Sequence, residues 1–201
     1  MRLPPPLPVS LLEVVAVAFG IVSVYLSVRE NIWSWPTALV NVSLYFLIFR
    51  RERLYADMGL QVFYAGISLY GWYHWLFGGT GHTTLRVTRT PRSLAIALPV
   101  IGVTGAIGLG TLLARTTDAA VPYIDSTLTV TSLIAQWMMS RKYLENWIIW
   151  VVADVAYVWL FIYRGLLLTA FLYAVFLVLA SKGYLDWRSS WRATQRAPVP
   201  S

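Results

Sequence analysis

The stretch Glu30-Asn31-Ile32-Trp33-Ser34-Trp35 has a second copy in the chain, Glu145-Asn146-Trp147-Ile148-Ile149-Trp150, at an offset of 115. Each copy sets Glu-Asn at a break between apolar stretches and a Trp four residues beyond the Asn. At that offset Phe46 falls on Phe161. The later run Gly71-Trp72-Tyr73-His74-Trp75 has a counterpart in Gly183-Tyr184-Leu185-Asp186-Trp187, three residues out of phase, and one small insertion accounts for the difference. A repeat on this scale marks a molecule built from two like units.

Apolar stretches on either side of the two copies lie at about 11–28, 32–49, 55–77, 93–114, 123–140, 146–163 and 165–181. A membrane-spanning helix needs roughly 20 mostly apolar residues. The chain is 58% hydrophobic and 12% charged, where a soluble domain carries about 25% charge. These observations predict an all-α integral membrane protein with seven transmembrane helices. Arg29-Glu30-Asn31, Arg50-Arg51-Glu52-Arg53, Arg141-Lys142 and Arg164-Gly165 are short enough only for tight turns, whereas the longest breaks, 78–92 and 115–122, flank the fourth helix. The pattern predicts a 3+1+3 arrangement within a single membrane domain spanning 1–201. The first bundle is 11–77, the linking helix 93–114, the second bundle 123–181 and a cytoplasmic tail 182–201. Helices two and six are four crossings apart and run the same way, so the two three-helix repeats are parallel. Gly102, Gly105, Gly108 and Gly110 suit the fourth helix to close packing. Met1 to Ser10, with one Arg and four Pro, reads as a short extramembrane lead-in rather than a removable signal.

The net charge of +7 would suggest nucleic acid in a soluble protein. Here the basic residues sit at the ends of apolar stretches, where they report topology and contact lipid headgroups. Arg29, Arg86, Arg89, Arg92, Arg141, Lys142, Lys182, Arg188, Arg192 and Arg196 fall on the side of the carboxyl terminus, against Arg2, Arg50, Arg51, Arg53, Arg115 and Arg164 on the other. The positive-inside rule then puts the carboxyl terminus in the cytoplasm and the amino terminus outside. There is no cysteine, which excludes disulfides and thiolate metal sites.

Polar residues inside membrane helices are costly and mark cavities, partner helices or solute paths. At about 100° per residue, Gln61, Tyr64, Ser68, Trp72 and Trp75 form one stripe on the third helix, and Asn146, Trp150, Asp154 and Tyr157 another on the sixth. Asn31, Trp35, Asn41 and Tyr45 on the second helix, and Ser132, Gln136 and Trp137 on the fifth, add to them. Amides and aromatic rings suit a flat solute with hydrogen-bonding edges, and aromatic faces with the Asp154 carboxylate suit a cation. Blander roles compete: Gln61 as a helix–helix contact, Asn146 as a cap, Asp154 as a packing residue, and Trp33, Trp75, Trp187 and Trp191 as interfacial anchors. No hydrolase, zinc-protease or phosphate-loop motif is present, and His74 and His82 lack a carboxylate cluster, so neither a metal nor a cofactor is expected.

Trp35-Pro36, Arg53-Leu54-Tyr55-Ala56-Asp57-Met58, Gln61, Tyr64, Tyr70-Gly71-Trp72-Tyr73-x-Trp75 and Asn146-Trp147-x-x-Trp150-x-x-x-Asp154 together resemble the PnuC nicotinamide riboside transporter family. The resemblance covers most of 30–77 and 141–188. It implies a fold related to the SWEET sugar transporters, a homotrimer in a bacterial inner membrane, and facilitated uptake of nicotinamide riboside with trapping by a cytoplasmic kinase. The site it implies is Gln61, Tyr64, Trp72, Asn146, Trp147, Trp150 and Asp154, to which the stripes add Ser68 and Tyr157. Relatives of similar fold carry thiamine or riboflavin, and thiamine, also a cationic aromatic, fits the same stripes. An integral membrane enzyme using Asp154 and a His, and a structural subunit, are the alternatives from other classes.

Overall fold

The computed structural model describes residues 11–117, 121–163 and 165–196, the side chain of Ala56 excepted. The lead-in 1–10, Asp118, Arg164 and the last residues, 197–201, lie outside them. Among the described residues the chain forms α1 (Leu11–Val28), α2 (Ser34–Arg51), α3 (Tyr55–Phe77), α4 (Arg92–Thr116), α5 (Pro122–Ser140), α6 (Asn146–Tyr163) and α7 (Leu167–Arg196). Pro122 opens α5 at a position where its missing N–H costs nothing. The helices α1, α4, α6 and α7 are long and apolar enough to cross a membrane. The helices α2, α3 and α5 are more polar; among their polar side chains Asn41, Gln61, Ser68, Ser132 and Gln136 line cavities.

The register of the repeat differs from the sequence expectation. An offset of 112, the separation of Glu30 and Lys142, carries α2 onto α6 and the start of α3 onto that of α7, and α1 onto α5 to within a residue. It also carries Trp35 onto Trp147 and Gly71 onto Gly183, so no insertion is needed. In each pair the glycine makes room for the indole: a Cβ on Gly183 would lie 2.6 Å from the Trp147 ring, and one on Gly71 would strike Trp35. Tyr45 stacks on Phe49 as Tyr157 stacks on Phe161. The Glu-Asn match at 115 is therefore a coincidence of composition. Trp150, one turn beyond the true equivalent of Trp35, created it.

Within each half, consecutive helices pack together, and the halves meet where α1 touches α7 and α3 touches α5, contacts that the repeat exchanges. The helix α4 packs against α5, where Gly110 lies under Tyr123 and the Ser126 hydroxyl donates to the Ala106 carbonyl at 2.9 Å.

One end of the molecule is closed by four tryptophans. Trp35 meets Trp75 edge-on at 5.3 Å, Trp75 meets Trp187 at 5.8 Å, and Trp187 meets Trp147 edge-on at 5.4 Å. The Trp75 indole donates to the Met139 carbonyl at 3.1 Å, and the Trp187 indole to the Ser27 carbonyl at 3.0 Å, each reaching the opposite half. Trp75 and Trp187 are thus buried cross-braces and not interfacial anchors; of the four, Trp191 is half-buried and Trp33 alone is well exposed. The brace also explains why α7 runs on to Arg196 rather than ending at 181. Lys182, Asp186 and Arg188 end the apolar run, yet the same helical face carries Gly183 and Trp187 into the core.

Candidate functional site

Two adjoining cavities of about 270 and 430 Å³ lie between the halves and share Ser23, Val24, Ala38, Tyr64, Gln136, Tyr173 and Phe176. Together they reach the size of small-molecule sites, about 300–1,000 Å³. The inner cavity rests on the tryptophan-closed end. Its walls are Trp35, Trp147, Trp150 and Tyr157, with Asp154, Gln136 and Ser132 among them. The outer cavity is lined by Asn41, Tyr45, Gln61 and Ser68. Between them stands Tyr64 of α3, which meets the Ser132 hydroxyl of α5 at 2.8 Å and so ties the two halves inside the site.

Repeat-related positions line the inner cavity together but carry different chemistry. Trp35 faces Trp147, yet Ala38 answers Trp150, Val24 answers Gln136, and Tyr64 answers Phe176. Most of the inner polar groups come from the second half, so the cavity is asymmetric within a near-symmetric frame. Three of its buried polar atoms have no partner: the indole nitrogens of Trp35 and Trp147 and the hydroxyl of Ser34. Asp154 is 4% exposed, no Lys, Arg or His lines either cavity, and among the described residues no salt bridge reaches its carboxylate. The arrangement offers aromatic walls, one buried carboxyl and neutral hydrogen-bonding edges.

Of the residues expected from sequence, Tyr64, Trp147, Trp150, Asp154 and Tyr157 line the inner cavity, and Gln61, Ser68 and again Tyr64 the outer one. Trp72 and Asn146 line neither. Trp72 packs against the tryptophan core, beside the glycine that seats Trp35. Asn146 is fully buried at the start of α6, where its side-chain N–H donates to the Tyr143 carbonyl at 2.6 Å and its amide oxygen caps no helix N–H. The stripe reading missed Ser34, Tyr173 and Phe176. The offset of 112 would have found the last two, since it places Tyr173 on Gln61 and Phe176 on Tyr64.

At the closed end, the turn after α5 is held by the linker from α3. Thr88 donates to the Lys142 carbonyl at 3.1 Å and accepts from Leu144 at 2.9 Å. Glu145 takes the Thr90 backbone N–H and hydroxyl, each at 2.8 Å, and Arg89 at 2.9 Å. Partial burial pushes the Glu145 carboxyl up, but the Thr90 backbone N–H, Arg89 and the Thr90 hydroxyl outweigh it and hold the group below its ordinary value of 4.5.

The family model described as nicotinamide mononucleotide transporter matches residues 10–189. The chain is similar to the nicotinamide riboside transporter PnuC of Escherichia coli (strain K12), 29% identical over 208 residues, covering 91% of this chain and 87% of that protein. It is also similar to the riboflavin/roseoflavin transporter RibM of Streptomyces davaonensis, 26% identical over 193 residues, covering 94% and 88%. A crystal structure of the vitamin B3 transporter PnuC has the same fold, with a TM-score of 0.71 at 24% identity over 90% of this chain and 82% of that one.

Proposed function

The chain belongs to the nicotinamide mononucleotide transporter family, and we propose that the solute it carries is nicotinamide riboside. The family is one of multi-pass membrane transporters and not of enzymes, which leaves the identity of the cargo as the question. One observation carries the choice: a cavity with a buried carboxylate and no lining cation. A phosphorylated nucleotide would bring negative charge beside Asp154 with nothing to neutralise it, at a high desolvation cost. The unphosphorylated riboside brings a cationic aromatic ring for Asp154 and the Trp147, Trp150 and Tyr157 faces, and sugar hydroxyls for Gln61, Ser68 and Gln136. Thiamine shares the cationic ring but not the sugar. Riboflavin has no ring cation for Asp154 to attract.

Uptake of labelled nicotinamide riboside into proteoliposomes, challenged by unlabelled competitors, tests this. Unlabelled riboside should compete at least tenfold better than the mononucleotide, thiamine or riboflavin. Thiamine or riboflavin competing at a lower concentration than the riboside would overturn the assignment.

The transport mode is alternating access by rocking of the two halves about the shared cavities, the usual behaviour of carriers built on repeats. The family resemblance supports facilitated diffusion with trapping by a cytoplasmic kinase. The tally of basic residues favours a cytoplasmic carboxyl terminus, in a bacterial inner membrane. The same resemblance supports a homotrimer, with lipid covering exposed apolar surface such as the row Ile96, Val100, Val103 and Ile107 on α4.

A further inference from the structure

We propose that Glu30 and Lys142 form a latch that keeps the tryptophan-closed end of the inner cavity shut and that breaks when solute leaves by that end. The inference rests on the carrier reading, and its test needs no knowledge of the solute.

The two residues occupy the same place in the two halves. Each lies in the turn that follows the first helix of its half, and each holds a φ of 51°, a left-handed conformation that side chains other than glycine rarely adopt. The same left-handed turn ends α2 at Arg53 and α6 at Gly165, so the conformation is the ordinary end of a helix; what sets Glu30 and Lys142 apart is that their side chains pair. The side chains meet across the boundary between the halves, Nζ to Oε2 at 3.0 Å. The Lys142 side chain is 8% exposed and its ammonium sits 4.4 Å from the centre of the Trp75 ring, the same ring whose N–H crosses to Met139. Thr88 holds the Lys142 turn from outside.

This chemistry suits a bond that must break in every cycle. Among the described residues Glu30 and the Trp75 face are the partners of the buried ammonium, and loss of Glu30 leaves its charge uncompensated. When the halves separate, water enters and solvates both ions, which offsets the lost pairing. A purely apolar plug would gain nothing from that water.

The chain has no cysteine, so one can be introduced as a reporter without background. Ala180 lines the inner cavity and is 2% exposed. With Ala180→Cys in vesicles, a membrane-impermeant thiol reagent is added on the side that carries Glu30, and the labelling rate is measured on monodisperse protein. The parent should label slowly. Glu30→Gln, which orphans the buried ammonium, should raise the rate about tenfold, and Lys142→Met, which removes it, should also raise the rate. Glu30→Asp, with a shorter reach, should fall between parent and Glu30→Gln and serves where the glutamine variant does not stay monodisperse. Labelling at the parent rate in Glu30→Gln or in Lys142→Met, or fast labelling of the parent itself, would overturn the latch.

Discussion

Asp154 and Trp147 both face the inner cavity, and both are set there by α6, but substitutions should separate what each contributes. Asp154→Asn keeps the shape and removes the charge. It should weaken binding of nicotinamide riboside by at least tenfold, about 1.4 kcal/mol, while the thermal midpoint in detergent stays the same or rises, because a buried unpaired carboxylate is relieved. Trp147→Phe keeps a ring against Gly183 and removes an indole N–H that has no partner in the protein. Solute affinity should fall about 3- to 10-fold, the worth of one hydrogen bond of about 0.5–1.5 kcal/mol. Calorimetric titration alongside thermal melts checks both; a melt that collapses with unchanged affinity would make either residue structural. The polar stripe on α6 marked Asp154, whereas Trp147 lies off that stripe and came only from the family resemblance. The stripe also took in Asn146, whose side-chain N–H turns back to the Tyr143 carbonyl and away from the cavities, since a stripe gives direction and not depth.

At the scale of helices and turns, the glycine seats and the linker make further predictions. Gly183→Ala would put a methyl 2.6 Å from the Trp147 ring. Overpacking of this kind costs about 1–3 kcal/mol, so the variant should melt lower and lose uptake, and Gly71→Ala should do the same through Trp35. Glu145 predicts an acid dependence. Its folded-state pKa lies below the ordinary 4.5, so the linker contact contributes its full stability above that value and loses it as pH falls through the folded pKa. Melts between pH 7 and 5 should be flat on this account. Below pH 4.5 the wild type should lose midpoint faster than Glu145→Gln, in which the charge is already absent. Helix existence was legible throughout, because breaks such as Arg50-Arg51-Glu52-Arg53 are sharp in an apolar chain. Two element-level features were not. The register of the repeat was drawn from Trp150, whereas packing against glycine identifies Trp147 as the partner of Trp35. The extension of α7 was hidden by Lys182 and Asp186, which pair with each other at 2.9 Å on the exposed face while Trp187 takes the buried one.

Over the whole molecule, two halves related by a shift of 112 enclose cavities in which Trp35 and Tyr45 repeat as Trp147 and Tyr157 but most other polar groups do not. The near-symmetric parts, four tryptophans, two glycine seats and the paired turns at Glu30 and Lys142, close one end. The asymmetric parts, Asp154, Gln136, Gln61 and Trp150, line the cavities. A carrier needs both: equivalent surfaces that can rock past one another, and an inequivalent interior that recognises one face of a small molecule. The central claim is that the Asp154 carboxylate selects a cationic ring. The most direct measurement compares the affinity of nicotinamide riboside with that of its reduced, uncharged-ring form, in the wild type and in Asp154→Asn. The account predicts that the wild type prefers the cation by at least tenfold and that the preference falls to about one in the variant, a loss of at least about 1.4 kcal/mol. An equal preference in the two proteins would contradict it.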